Sequence, residues 1–254
     1  DHAGEGRLMT PRLFYRNKIT ASSMLTISST SASFPKGNLI DEIVGTVWRS
    51  ATAGATVTID VDFSTATAVT ELAIRGHNLT SAGTFSLLYG ATSPPTNVAT
   101  LGAVTPNIWV SFFGKKIVRH WRLTMRQAIA SGFYEQAELW LGSYEEFTRH
   151  HAIGWSKGRE DSHIMHETQG GARWYLAGYQ RRTLRLPWRH ISNAADVSRW
   201  ETIFANRGQT KPFFFTRDTA VPSGTLFCRV ATPLEFGHRF LELFDTDVVL
   251  EEEL

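Results

Sequence analysis

A mainly β chain is what the sequence predicts: an N-terminal antiparallel jelly-roll β-sandwich, then a small β-sheet or split-barrel domain with one helix. Three observations point there. Short apolar runs alternate with polar residues at period two, turn-formers separate these runs, and the 254 residues include 8 Trp and 16 Phe with little helical periodicity. A chain of this length can bury one large or two ordinary cores. A change of character near Tyr144 predicts two.

Residues 1–33 read as an N-terminal arm. Leu8 to Thr20 alternate apolar and basic positions, as an edge strand can, and Ala21 to Ser33 are dominated by Ser and Thr and read as loop. The sandwich is assigned to residues 34–144. Its cleanest strand is Thr56 to Phe63, with Val57, Ile59, Val61 and Phe63 on one face and Thr56, Thr58, Asp60 and Asp62 on the other. Further runs follow at Val69 to Ile74, Phe85 to Tyr89, Ile108 to Phe113, Ile117 to Met125 and Ala137 to Leu141, and turn-formers such as Ser93-Pro94-Pro95 punctuate them. Residues 145–171 are polar and His-rich and read as a connector bearing a strand near His163 to Glu167.

The second domain is assigned to residues 172–254. A long strand, Trp174 to Leu186, is expected to stop at Pro187. A helix starts near Ser192 or Asn193, either of which can cap it, and ends before Gly208. Val197, Trp200, Ile203 and Phe204 share one face of that helix and require a sheet beneath them. Pro212 to Arg217, Leu226 to Ala231 and Phe240 to Leu250 supply its strands.

Bulk properties narrow the function classes. A formal net charge of +2 with 20% charged residues is far from nucleic-acid-binding composition, so no nucleic-acid partner is expected. Cys228 is alone and cannot form an internal disulfide, which permits folding in a reducing compartment. The residues Asp1 to Gly6 lack a signal-like pattern and no run approaches about 18 apolar residues, so neither export nor membrane insertion is expected.

No catalytic residue, metal site or cofactor is assigned. His163 and His166, with Glu167 and the upstream His150-His151, lack the HExxH spacing, and on a strand the two histidines face opposite ways. Cys228 reads as a small buried strand residue. There is no nucleophile elbow and no phosphate-cradling loop. Asp60-x-Asp62 and Glu145-Glu146 are paired carboxylates, the chemistry of a glycan hydrolase, or plain surface acids. For glycan binding the candidates are Arg75, His77, Asn78 and Trp109, planar polar groups around an aromatic platform. The other reading has Trp109 packed beneath its neighbouring strand and His77-Asn78 turning the chain. Trp48, Trp121 and Trp140 are assigned to the core. Arg181, Arg182 and Arg185, with Arg189, read either as an interface to acidic groups such as Glu251 to Glu253 of a neighbouring copy or as a solvated face. Phe213, Phe214 and Phe215 put bulk on both faces of one strand, and a neighbouring protein is expected to supply the second cover.

Two resemblances extend this reading. Asn38-Leu39-Ile40-Asp41, Val47-Trp48-Arg49-Ser50, the Thr56 to Phe63 strand, Leu72 to Asn78, Val118 to Arg126 and Glu135 to Gly142 together resemble discoidin-like (coagulation-factor type C, galactose-binding-like) domains. That resemblance implies a jelly roll whose loops at one end meet glycans or lipid headgroups. Ile40-Asp41-Glu42 replaces the family's acidic Asp-Gly-Asp pattern, so no calcium is carried over, and the bracketing disulfide is absent. Arg181 to Trp188, the helix, Lys211 to Phe215 and the final strand resemble the sheet-plus-helix domains of bacteriophage tail-tip and baseplate proteins.

Together the resemblances imply a structural tail-tip or baseplate subunit, assembled in the host cytoplasm and carried in the virion tail. Its partners would be other tail proteins, further copies of itself in a ring, and a host-surface glycan. The alternative is a carbohydrate-binding module outside any virion, and a glycan hydrolase comes third.

Overall fold

The alternation at Val57, Ile59, Val61 and Phe63 is realised as drawn: all four are buried, and Asp60 and Asp62 lie on the other face. In the computed structural model, which describes residues 11–51, 56–127, 132–152 and 154–254, the chain is mainly β and its sheets are antiparallel. Contacts divide it into two units. One holds the described residues up to Glu146 together with Phe213–Phe227, and the other holds Phe147–Pro212 with Cys228–Leu254. Leu8, Met9 and Thr10 of the predicted arm lie outside the described residues.

The first unit is organised by two long strands, Val57–His77 and Asn107–Arg126, which pair from Val57↔Met125 to His77↔Asn107. Each was expected as two shorter strands. Irregularities between Asp62 and Thr67 and between Val69 and Glu71 shift the pairing without ending it, so the ladder turns a corner instead of stopping. Thr84–Gly90 pairs on the far side of Asn107–Arg126, Asn97–Ala99 lies beyond it, and Glu138–Gly142 pairs with Glu71 to Arg75. Leu25–Ile27 pairs with Ile59 to Val61, although its surroundings read as loop. Gly76 has φ +61, and a Cβ there would sit 2.7 Å from that of Ala137, so only glycine fits beside this strand crossing.

Trp48, Trp121, Ile59, Leu72, Ile74 and Leu123 belong to the main core. A second core lies on the opposite face of the Glu71 to Arg75 stretch, where Ala73 and Trp140 meet Phe14, Phe214 and Phe227. The Trp140 ring packs edge-on at 5.2–5.9 Å against Phe214, Phe14 and Phe227. Strand Arg12–Phe14 pairs with Phe213–Thr216 to build this cover. Phe213, Phe214 and Phe215 are therefore buried within the chain at 0–1% exposure. The cover expected from a neighbouring protein comes from the chain itself.

The second unit is a sheet with the order Cys228–Val230, Leu243–Glu252, Arg173–Ser192, Ser156–Glu167; Gly237–Phe240 also pairs with Leu243–Glu252. The long strand runs through Pro187 rather than stopping there. The Pro187 carbonyl accepts from Ala152 N at 2.6 Å. A strand residue directs its N–H and C=O to the same side, so the missing N–H faces Ala152 and not the Leu243–Glu252 ladder. The expected Phe240 to Leu250 strand is instead a hairpin turning at Leu241, whose φ is +49.

A wide helical turn over Asn193–Val197 leads into the helix Ser198–Arg207, closed by Gly208 at φ +56. The side chain of Asn193, one of the two expected caps, is outside the described residues. Asp196, buried, accepts from Thr148 N, Arg149 N and Arg199 Nη1 at 2.8–3.0 Å. Trp200 packs with Phe147 and Trp188, all three fully or nearly buried. No helix among the described residues is long and apolar enough to cross a membrane.

Candidate functional site

The polar face of the first unit is set by register. Asp60 stands opposite Arg122 and Asp62 opposite His120, while the intervening Val61 and Trp121 turn into the core. Arg122 donates Nε and Nη2 to the two oxygens of Asp60 at 2.5 and 2.9 Å, and Arg119 donates to those of Asp62 at 2.7 and 2.8 Å. Two carboxylate–guanidinium forks thus lie side by side. Ser64 N also donates to Asp62, at 2.8 Å. The Arg119 fork, then this amide, hold the Asp62 carboxyl well below the usual carboxylate range.

The two carboxylates, each fixed by its fork, line one wall of a cleft of about 280 Å³. Ser23 lines it from just before the Leu25–Ile27 strand and Thr26 from within it, Ser93 from the loop after Gly90, and His120 from the sheet. Ring Nδ1 of His120 lies 3.8 Å from Asp62. Asp60 and Asp62 were legible as a pair of acids. Arg119, His120, Arg122 and Ser93 were missed, although the alternation His120-Trp121-Arg122 is the signal that puts the two basic residues on the acids' side.

The four residues expected to form a glycan site do not converge. Trp109 is 1% exposed, packs edge-on against Phe85 at 5.2 Å and donates Nε1 to Gly102 O at 3.1 Å. Arg75 points to the opposite face of the sheet, over the ring of Phe227 at 5.1 Å. Asn78 clamps a neighbouring segment, giving Nδ2 to Phe133 O at 2.7 Å and accepting from Glu135 N at 3.1 Å. His77 accepts from Leu79 N through Nδ1, and burial lowers its pKa to about 4, so it stays neutral. These side chains build the end of the sandwich and offer no aromatic platform to solvent.

The arginine strip of the second unit is paired at home. Arg181 bonds Glu251, and Arg182 forks onto Glu252 with Nε at 2.7 Å. Asp247 takes Arg185 at 2.9 Å and Arg189 at 2.7 Å. The acidic tail expected from a neighbouring copy is supplied by the same chain, because Thr183 stands opposite Glu251 in the ladder. His163 and His166 are separate: His163 meets the edge of Tyr175 and His166 stacks on Trp174 at 4.1 Å. No metal-holding cluster of three or more His, Cys, Asp or Glu occurs among the described residues.

Two buried carboxyls lie beneath the second core's cover. Glu138 accepts from Trp140 Nε1 at 3.0 Å, and burial pushes its pKa up to about 8 against the pull of that bond and of Arg75. Burial likewise raises Glu71, with Arg12 opposing.

No protein-family model matches the sequence, and no curated protein sequence matches it. Solved structures are similar over about half of the chain. Chitosan-binding module 1 of a chitosanase/glucanase from Paenibacillus sp. IK-5 is 17% identical, with a TM-score of 0.43 over 50% of this chain and 99% of that one. CBM32-3 of a family 31 glycoside hydrolase from Clostridium perfringens is 14% identical, with a TM-score of 0.40 over 48% and 92%. A GH29 fucosidase from Ruminococcus gnavus is 14% identical, with a TM-score of 0.45 over 52% of this chain and only 28% of that one.

Proposed function

We propose that the first unit is a non-catalytic carbohydrate-binding module that takes a neutral glycan in the cleft beside Asp60 and Asp62. The two adjacent carboxylate–guanidinium forks carry this reading. Each carboxylate is held in place by two hydrogen bonds from its arginine, so its remaining lone pairs are presented in a fixed direction to a ligand rich in hydroxyls. Ser23, Thr26 and Ser93 extend the same chemistry. Two acids facing two guanidiniums leave no net charge to attract an acidic polymer.

The same geometry disfavours hydrolysis. Residues two apart on a strand are about 6.6 Å apart, a spacing an inverting glycosidase could use. A general acid, however, needs a proton to give, and Arg119 holds Asp62 ionised. Asp60 has both oxygens engaged by Arg122 and is no free base.

Calorimetric titration of the full chain with neutral oligosaccharides tests the reading. Binding is expected, weakened at least about tenfold by Asp60→Asn or Arg122→Ala, the effect of losing one charge-assisted hydrogen bond. Equal binding by these variants, or binding confined to acidic sugars, contradicts it.

A second reading is a subunit of a phage-like tail tip or baseplate, assembled in the host cytoplasm. One observation favours it: a two-stranded arm in the second unit exposes large apolar side chains, as a docking element would. Immunogold labelling of purified particles checks this. A chain missing from the particles sinks it.

A further inference from the structure

The arm is the part of Ser156–Glu167 and Arg173–Ser192 beyond the third strand. Leu243–Glu252 pairs with the long strand only from Thr183 to Ser192, so Glu160 to Glu167 and Arg173 to Arg182 form an unsupported ribbon. Ile164 and Leu176 share one face with Trp174, and Met165 and Tyr175 share the other. These five are 49–59% exposed. A two-stranded ribbon is marginal in water, whereas three or more strands with an apolar face are stable. Ser156–Glu167 is also an edge strand, which presents unpaired backbone groups outward.

We infer that the distal edge of this arm, His163 to Glu167, pairs antiparallel with the same edge of a second copy of the chain, making a four-stranded sheet. Charge selects both the segment and the partner. The basal half of the edge carries Lys157, Arg159, Glu160 and Asp161, which guard it against pairing, while the distal half carries Ile164 and Met165 between His163 and His166. A two-fold axis through Met165 sets Glu167 of each copy opposite His163 of the other and Ile164 opposite His166, so no like charges meet. Slipping the centre to Ile164 would oppose Glu167 to Asp161, which is unfavourable. A lipid surface is the poorer occupant. The tip is polar, with Glu167 paired to Arg173 at 2.9 Å, and open edge amides would go unsatisfied in hydrocarbon.

This contact is independent of the glycan reading, and it is small, in the class below about 1,200 Å² that gives weak, concentration-dependent association. Sedimentation velocity of the full chain over a wide concentration range should show a monomer–dimer equilibrium that Met165→Lys removes. Met165→Cys, placed on the axis, should give a disulfide-linked dimer under mild oxidation, and Gln169→Cys in the turn should not. Unchanged circular dichroism in these variants shows that the fold is intact. Monomer at every concentration with equal cross-linking of the two cysteine variants overturns the proposal, as does vesicle binding lost with Met165→Lys while no dimer forms.

Discussion

Leu72, Ala73 and Ile74, with Leu139, Trp140 and Leu141 paired to them, put apolar side chains on both faces of a strand pair and are buried on both. Ile164 and Met165, with Leu176 and Tyr175 paired to them and Trp174 next along the strand, do the same and remain about half exposed. The residue patterns are alike, and the difference is a third layer. The first pair has the main core on one face and the Phe14, Phe214 and Phe227 cover on the other. The arm has neither. A strand that reads apolar at consecutive positions therefore announces that two covers are needed, but not where they come from.

Matched substitutions break this comparison most sharply. Trp140→Ala should cost about 3–5 kcal/mol, as large aromatic truncations in cores do, and denaturant unfolding should show it. Trp174→Ala should stay within about 0.5 kcal/mol in the same assay, as exposed positions do. Equal losses would mean that the arm is covered in the free chain.

The buried cover also sets a pH dependence. Glu138 binds its proton up to about pH 8 in the folded chain and only to about 4.5 when unfolded. The folded state thus holds more protons across that window, and the stability this group contributes is full below pH 4.5 and lost as pH rises toward 8. His77, with its pKa lowered to about 4, acts with the opposite sign and only below about pH 6.5. Thermal melts between pH 6.5 and 8 should fall, and Glu138→Gln should reduce that fall, with Glu71, raised by burial, contributing in the same direction. An unaltered slope would show that Glu138 is solvated.

Smaller effects sit in the ion pairs. Arg182→Ala leaves the well-buried Glu252 carboxylate short of its fork and should cost about 1–3 kcal/mol in urea unfolding. Arg119→Ala removes a fork from Asp62 whose two side chains are more than 40% exposed, and should cost less than Arg182→Ala in the same assay. If Arg119→Ala proved the costlier, the polar face would be a structural element rather than a surface prepared for a ligand.

Much of the fold was legible, because period-two alternation is a local signal. Val57 to Phe63 and the core tryptophans 48, 121 and 140 needed nothing beyond it. What failed needed long-range information. Pro187 reads as a strand stop until the side on which its missing N–H falls is known. Phe213 to Phe215 read as an interface until Phe14, some 200 residues earlier, is seen pairing with Phe214. The candidate site was half legible for the same reason. Asp60 and Asp62 are neighbours in sequence, whereas Arg122 joins them only through strand register and Arg119 only through the irregularity beside Asp62. Arg75, His77, Asn78 and Trp109 have the residue types of a sugar site, yet the strand alternation that makes them neighbours also sends Arg75 and Trp109 to opposite faces.

The cleft beside the two forks can be tested directly by titrating neutral oligosaccharides into the unaltered chain and into Asp60→Asn, with folding of both checked by thermal melting. Saturable binding that falls at least about tenfold in the variant, at unchanged fold, is the expected result. Binding that is absent from the unaltered chain, or that survives Asp60→Asn intact, would contradict the assignment.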